Sequence, residues 1–320
     1  MSTPPVPPDY SEDYATQPFP LRLFSEYDDE NDLWIKQKLE SLVKCDVSPT
    51  QTALDFDATI TQLVLQKHEN VMKRALLAPE QRAQGGEEKT NPFTTLPRPR
   101  YYIETLLQSI ALLAPSFPPH HAGQDAIIDF LKALQALPRH ELYSGSPPED
   151  PNEKYPTMTL WALETPEGNW EGFAGYFRHE IISCHPPYRW RNFNSTMARL
   201  TASGFADCTL WSALRDILPG SGEYPDLQRR PVDGPIKMGN DINAAAQWVV
   251  WPEECRYVYE RCRRGEGKNL WCMENWREWK SQFAFVAGDG RFEGKFRDVA
   301  GRAARQMVEC ESEGGESVDG

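Results

Sequence analysis

The spacing of large apolar residues between Asp241 and Val286 constrains this chain more than any other feature. Ala244, Trp248, Trp251, Cys255, Val258 and Cys262 recur at steps of four and three, and Cys272, Trp276, Trp279, Phe283 and Val286 repeat the pattern. A stripe with that period is the buried face of an α-helix, because a turn takes about 3.6 residues. Between the stripes, Gly265-Glu266-Gly267-Lys268-Asn269 has the length and chemistry to fold two helices back antiparallel. Half of the ten tryptophans lie from Trp248 to Trp279, so this hairpin is expected to carry the heaviest part of the core. Pro252 falls within the first stripe, where an interior proline costs about 3 kcal/mol. It reads as a kink or a restart, with Glu253 and Glu254 in the first turn of the resumed helix.

The same period recurs upstream and downstream. Asp28 to Lys44 sets Ile35, Leu39 and Leu42 on one side, with acids at its start and Lys44 at its end to suit the helix dipole. Ser48-Pro49 reads as an N-cap and a first-turn proline, opening a helix to about Leu77 with Ile60, Val64, Val71 and Ala75 inward. Ile103, Leu106, Leu107, Ile110 and Leu113 define a helix stopped near Pro115. Ile127, Leu131 and Leu134 define its antiparallel partner, stopped at Pro138. A further helix is expected within Asn169 to Ser183. Trp190, Phe193, Met197 and Leu200 continue the pattern, with Gly204 where a C-terminal cap belongs. Asp207 is placed to cap a helix presenting Leu210, Leu214 and Ile217, and Phe296, Val299, Ala303 and Met307 mark the last one. No segment alternates at the period of a strand. The expected fold is all-α, with antiparallel helical pairs packed in a bundle or a short superhelical array.

Proline, glycine and charge divide the chain. Residues 1–20 and the acidic 310–320 have no apolar face to bury and are expected to be disordered tails. Between them a single helical domain, 21–309, is interrupted by linkers near 79–99, 144–156 and 220–239. The formal net charge of −13 excludes a general binder of the nucleic-acid backbone. No stretch approaches the ~18 uninterrupted apolar residues that cross a membrane, and Met1 to Asp13 lacks the pattern of a signal peptide. The seven cysteines, at 45, 184, 208, 255, 262, 272 and 310, form no C-x-x-C pair. That is the usage of reduced thiols in the cytoplasm or nucleus, not of a disulfide framework.

The chemistry-bearing residue types meet mostly structural explanations. His179-Glu180-Ile181-Ile182-Ser183 would need a second histidine at 183 to resemble a zinc-protease helix, and Cys184 with His185 leaves a fourth ligand missing. His120-His121 sits between prolines in a loop. Ser146 and Ser221 lack the strand-turn-helix setting of a nucleophile elbow. Gly288-Asp289-Gly290 is followed by no G-K-[ST] and reads as a break before the last helix. No catalytic residue, cofactor or metal is therefore assigned. Two binding candidates stand. Arg256, Arg261, Arg263, Arg264 and Lys268 form a possible anion patch, although cations also suit a helix C-terminus. Trp248, Trp251, Trp276 and Trp279, with Arg215, Gln247 and Lys280, form either core or the wall of a ligand or partner groove.

Several runs, in order, resemble a known family. They are Trp190-Arg191-Asn192-Phe193-Asn194, Ala198-Arg199-Leu200, Leu210-Trp211-Ser212-Ala213-Leu214-Arg215, Ala244-Ala245-Ala246-Gln247-Trp248-Val249-Val250, Trp276-Arg277-Glu278-Trp279-Lys280-Ser281-Gln282-Phe283 and Ala303-Ala304-Arg305-Gln306-Met307. The family is a large one of helical proteins from filamentous fungi that carry a domain of unknown function, and the similarity runs from about Tyr101 to Val308. It implies a fungal origin and an α-helical domain, and brings no activity, cofactor or catalytic residue. The chain departs from the family's pattern at Pro252, where a small residue is usual, and at Pro219, which cuts a short helix. Two functions follow as expectations. One is a non-catalytic helical scaffold that binds another protein or itself, and the other is a binder or converter of a small hydrophobic molecule between tryptophan-lined helices.

Overall fold

A computed structural model describes residues 12–75, 96–148, 150, 152–162, 171–181, 187–222, 224–265 and 270–315. The expected linker at 79–99 and the outermost residues of both expected tails lie largely outside that set, whereas residues 12–20, expected as tail, form a 3-10 turn at Glu12–Ala15 and bury Phe19, on which Tyr14 stacks. Ten α-helices and one two-stranded ribbon make up the described fold, so the all-α expectation holds. The helices are α1 (Glu30–Val43), α2 (Pro49–Ala75), α3 (Pro99–Leu113), α4 (Ala122–Ala136), α5 (Glu171–Glu180), α6 (Pro187–Ala202), α7 (Asp233–Ala245), α8 (Pro252–Arg264), α9 (Met273–Gly288) and α10 (Gly294–Gly315). No described helix is long and apolar enough to cross a membrane. The described chain divides into two compact units, Leu23–Ile110 with Asp125–Tyr176, and Met1–Arg22 with Ala111–Gln124 and Phe177–Gly320.

In the first of these units, local signals act as expected. The Asp29 carboxylate accepts from the backbone N–H groups of Asn31 and Asp32, and Asp32 returns a bond to Asp29, which closes a capping box on α1. Ser48 Oγ accepts from Gln51 N at the head of α2, and Pro49 takes the first helical position. Ile35, Leu39 and Leu42 on α1 and Phe56, Ile60 and Val64 on α2 are fully buried. The buried Trp161 donates Nε1–H to Asp57 at 2.7 Å. A short antiparallel ribbon, β1 (Glu141–Tyr143) with β2 (Thr157–Thr159), flanks the expected 144–156 loop. Each strand has three residues, too few for an alternating pattern to register.

The second unit is built around α6, where eleven residues from Arg189 to Thr201 are buried. This helix ends as its glycine suggested. Gly204 takes φ +77°, Gly204 N–H bonds Thr201 O, and Phe205 N–H bonds Leu200 O, the two bonds of a Schellman cap. Four expectations need correction. The 207–217 segment forms two 3-10 turns, Thr209–Trp211 and Ala213–Arg215, because Asn194 Oδ1 captures the Ala213 N–H that a continuous helix would use. Leu210, expected inside, is 61% exposed. The irregular stretch to Gly239 ends earlier, since α7 begins at Asp233, and α10 runs to Gly315 beyond the expected stop at Glu309. The 241–262 stripe follows the expected restart at Pro252: α7 ends at Ala245, a 3-10 turn spans Ala246–Trp248, Trp251 is extended, and α8 begins with Pro252 in its first turn and Glu253 and Glu254 beside it. A proline there gives up an N–H that is free in any helix start.

The tryptophan-rich core is real but differently paired. The most extensive packing of α9 is with α10, across the short Asp289–Glu293 connection. Trp276 Nε1 and Lys280 Nζ near the start of α9 both donate to Glu311 near the end of α10, each at 2.7 Å, so the two helices run antiparallel. α7 crosses α10 closely enough that a Cβ on Gly239 would lie 2.3 Å from a ring carbon of Phe296.

Candidate functional site

Polar residues fill the centre of the second unit, and they position what lies at its surface. Asn194 Oδ1 accepts from Ala213 N at 3.0 Å and from Trp248 Nε1 at 2.9 Å, while its Nδ2 donates to Trp190 O. Ser195 Oγ donates to Gln124 Oε1, and Thr196 Oγ1 to the carbonyl of Ala114. Asn192 Nδ2 donates to Pro115 O. Buried polar groups are tolerated when each finds a partner, and such a network locks the backbone around it.

Above Asn194, the two 3-10 turns, the start of α6 and one face of α7 surround a cleft of about 720 Å³. Trp190 and Trp211 give it aromatic walls, and Ile181, Pro187, Leu210 and Ile236 give it aliphatic ones. Leu210 and Ile236, 61% and 47% exposed, are open to solvent there. Ser212 Oγ accepts from Leu214 N and fixes the turn between the walls. Three carboxylates, Asp216, Asp233 and Asp241, face two cations, Arg215 and Lys237. Lys237 pairs with Asp241 at 2.9 Å, one helical turn away.

A smaller pocket of about 330 Å³ lies where the N-terminal turn Glu12–Ala15 meets the start of α6, the end of α7 and the start of α10. Lys295 Nζ donates to Glu12 at 2.7 Å, and the Tyr188 hydroxyl donates to the other Glu12 oxygen. The Lys295 and Tyr188 hydrogen bonds hold the Glu12 carboxyl below the usual carboxylate range against the opposing effect of burial. The Arg191 guanidinium donates to the carbonyls of Ala15 (2.9 Å) and Tyr14 (3.2 Å) and to Asn192 Oδ1 (2.7 Å). Burial lowers its pKa to about 10.

The seven residues of the expected groove fall in four places. Arg215 lines the larger cleft, whereas Gln247 and Trp251 line the smaller pocket. Trp248, Trp276 and Trp279 are sealed in the core, with ring centroids 5.8 Å apart for Trp248 and Trp271 and 5.7 Å for Trp271 and Trp279. Lys280 is bound to Glu311. In the expected anion patch, Arg256 pairs with Glu313 at 3.0 Å, Arg261 with Asp207 at 2.9 Å and Arg264 with Glu260 at 3.9 Å, while Arg263 sits over the Tyr259 ring. Lys268, Cys184 and His185 lie outside the described residues. Among the described residues, no group of three or more His, Cys, Asp or Glu is placed to hold a metal ion. His120 instead packs on Trp251, with ring centroids 3.9 Å apart.

Trp190, Trp211 and Ile236 were not expected to share a wall. They come from three separate elements, and no local spacing joins them. A family model described as a protein of unknown function (DUF3632) matches residues 108–283. No curated protein and no solved structure matches the chain.

Proposed function

The chain belongs to the DUF3632 family, and on that premise, which supplies no chemistry, we propose that it is an intracellular helical scaffold binding another protein at the larger cleft. One observation carries the reading. The indole wall that would enclose a small ligand is packed shut, while Leu210 and Ile236 stand exposed together at a cleft open to solvent. Apolar side chains gathered at the surface within a polar rim mark interaction sites, whereas singly scattered ones do not. The acidic excess of the rim, with a formal net charge of −13 for the chain, favours a partner segment whose apolar side chains are flanked by lysine or arginine. The six described cysteines are free, which suits a reducing compartment.

The test is native mass spectrometry of protein purified gently from its own host, compared with a Leu210→Asp/Ile236→Asp variant of unchanged melting temperature. The expected result is an added protein-sized mass, foreign or a second subunit, that the variant loses. A partner retained by the variant would overturn the assignment of the cleft. Extra mass of only a few hundred daltons would favour a second reading, a small hydrophobic molecule held between Trp190 and Trp211. The cleft volume of about 720 Å³ also supports that reading, since small-molecule sites span roughly 300–1,000 Å³.

A further inference from the structure

The smaller pocket carries more positive charge than its resident acid can balance. Arg191, Lys295 and Arg302 line it; Glu12 is the one carboxylate among its described lining residues, and Glu293 beside it also pairs with Lys295 at 3.2 Å, which leaves three cations to two carboxylates. The Glu12–Lys295 pair is exposed, with side chains 69% and 40% accessible. Solvent screens such a pair, so it contributes little and is easily exchanged. Arg191 differs. It is 7% exposed, its hydrogen bonds all go to neutral oxygens, and no carboxylate pairs with it among the described residues. A buried cation solvated only by dipoles retains a strong preference for an anion nearby, and its lowered pKa has the same cause. Arg302 likewise makes no ion pair among the described residues, and lies 5.6 Å from the centroid of the Trp251 ring.

We propose that this pocket binds a small oxyanion-bearing molecule, held by Lys295 and Arg302 with Arg191 behind them, and that Glu12 is a displaceable internal occupant of the same site. The Glu12 carboxylate sits where the ligand's anionic group goes, accepting from Lys295 Nζ and the Tyr188 hydroxyl. Because Glu12 is tethered to the site, it competes at a high effective concentration, on the order of millimolar. An external anion therefore binds the intact protein weakly, and removal of the Glu12 charge strengthens binding. Phosphate and carboxylate share this chemistry. The pocket is separate from the larger cleft, so the inference stands without the scaffold reading.

The test titrates the full chain calorimetrically with inorganic pyrophosphate, and in parallel with citrate, at ionic strength held constant with potassium chloride. Glu12→Gln is expected to bind one of the two at least about tenfold tighter than the native chain. Adding Arg302→Gln to Glu12→Gln is expected to lose about tenfold or more of that gain. Arg302 is an exposed side chain, so this second change leaves the fold intact, as matched melting curves will confirm. The better of the two probes identifies phosphate or carboxylate as the preferred group. Equal affinity of the native chain and Glu12→Gln for both probes, or undiminished binding by the double variant, would overturn the proposal.

Discussion

Three hydrogen bonds converge on the side chain of Asn194, and two of their donors have no alternative partner in a buried site. Ala213 N–H and Trp248 Nε1–H both point at Oδ1, at 3.0 and 2.9 Å. Asn194→Ala strands both. A buried donor left without an acceptor costs about 1–3 kcal/mol, so the unfolding free energy should fall by roughly 2–5 kcal/mol in urea denaturation. A loss below about 1 kcal/mol would mean that water replaces the amide. The substitution also releases the turn that carries Leu210 and Trp211 to the cleft. Helical spacing was enough to place Trp248 in the core, but it could not reveal what satisfies the indole N–H, because the partner lies 54 residues earlier. Polar residues on α6 had the same problem. Asn192, Ser195 and Thr196 look solvent-facing by residue type, and only their distant partners explain their burial.

Helix against helix, the crossing of α7 and α10 depends on one missing side chain. An alanine Cβ at Gly239 would sit 2.3 Å from a carbon of the Phe296 ring, well inside contact distance. Helix propensity alone would reward Gly239→Ala by about 1 kcal/mol. Overpacking should win, with a net loss of about 1–3 kcal/mol in denaturant unfolding. Gly175→Ala on α5, where a Cβ meets nothing within 4 Å, is the control and should gain up to about 1 kcal/mol. Stabilisation by both substitutions would show that Phe296 moves aside freely. Elements were legible wherever the signal was local. The Ser48-Pro49 start, the Gly204 cap and the restart at Pro252 all depend on neighbours a few residues apart. Where a side chain from elsewhere took over the backbone, as Asn194 does at Ala213, the apolar period of Leu210, Leu214 and Ile217 indicated a helix that does not form. The cleft was illegible for a related reason: its walls meet only through the fold.

For the whole molecule, the family match and the physical unit do not coincide. The matched segment, residues 108–283, starts inside α3 and ends inside α9, and it takes parts of both compact units. It omits α10, whose Phe296, Ala300, Ala303, Met307 and Cys310 are buried. It also removes Glu311, the acceptor for Trp276 Nε1 and Lys280 Nζ. Each large apolar side chain of α10 contributes roughly 1.5–3 kcal/mol on burial, and its loss uncovers the aromatic residues of α9 as well. Together these approach the whole net stability of a domain, about 5–15 kcal/mol. A fragment of residues 108–283 should therefore lack the near-ultraviolet circular dichroism of ordered tryptophans and melt without a cooperative transition. The full chain should show both. A sharp transition in the fragment would mean that the matched segment holds its own core and that α10 is an addition to it. The expected failure would mean that the matched segment cannot hold the tryptophan core by itself. The segment that defines the family would then be shorter than the smallest piece of this chain that folds.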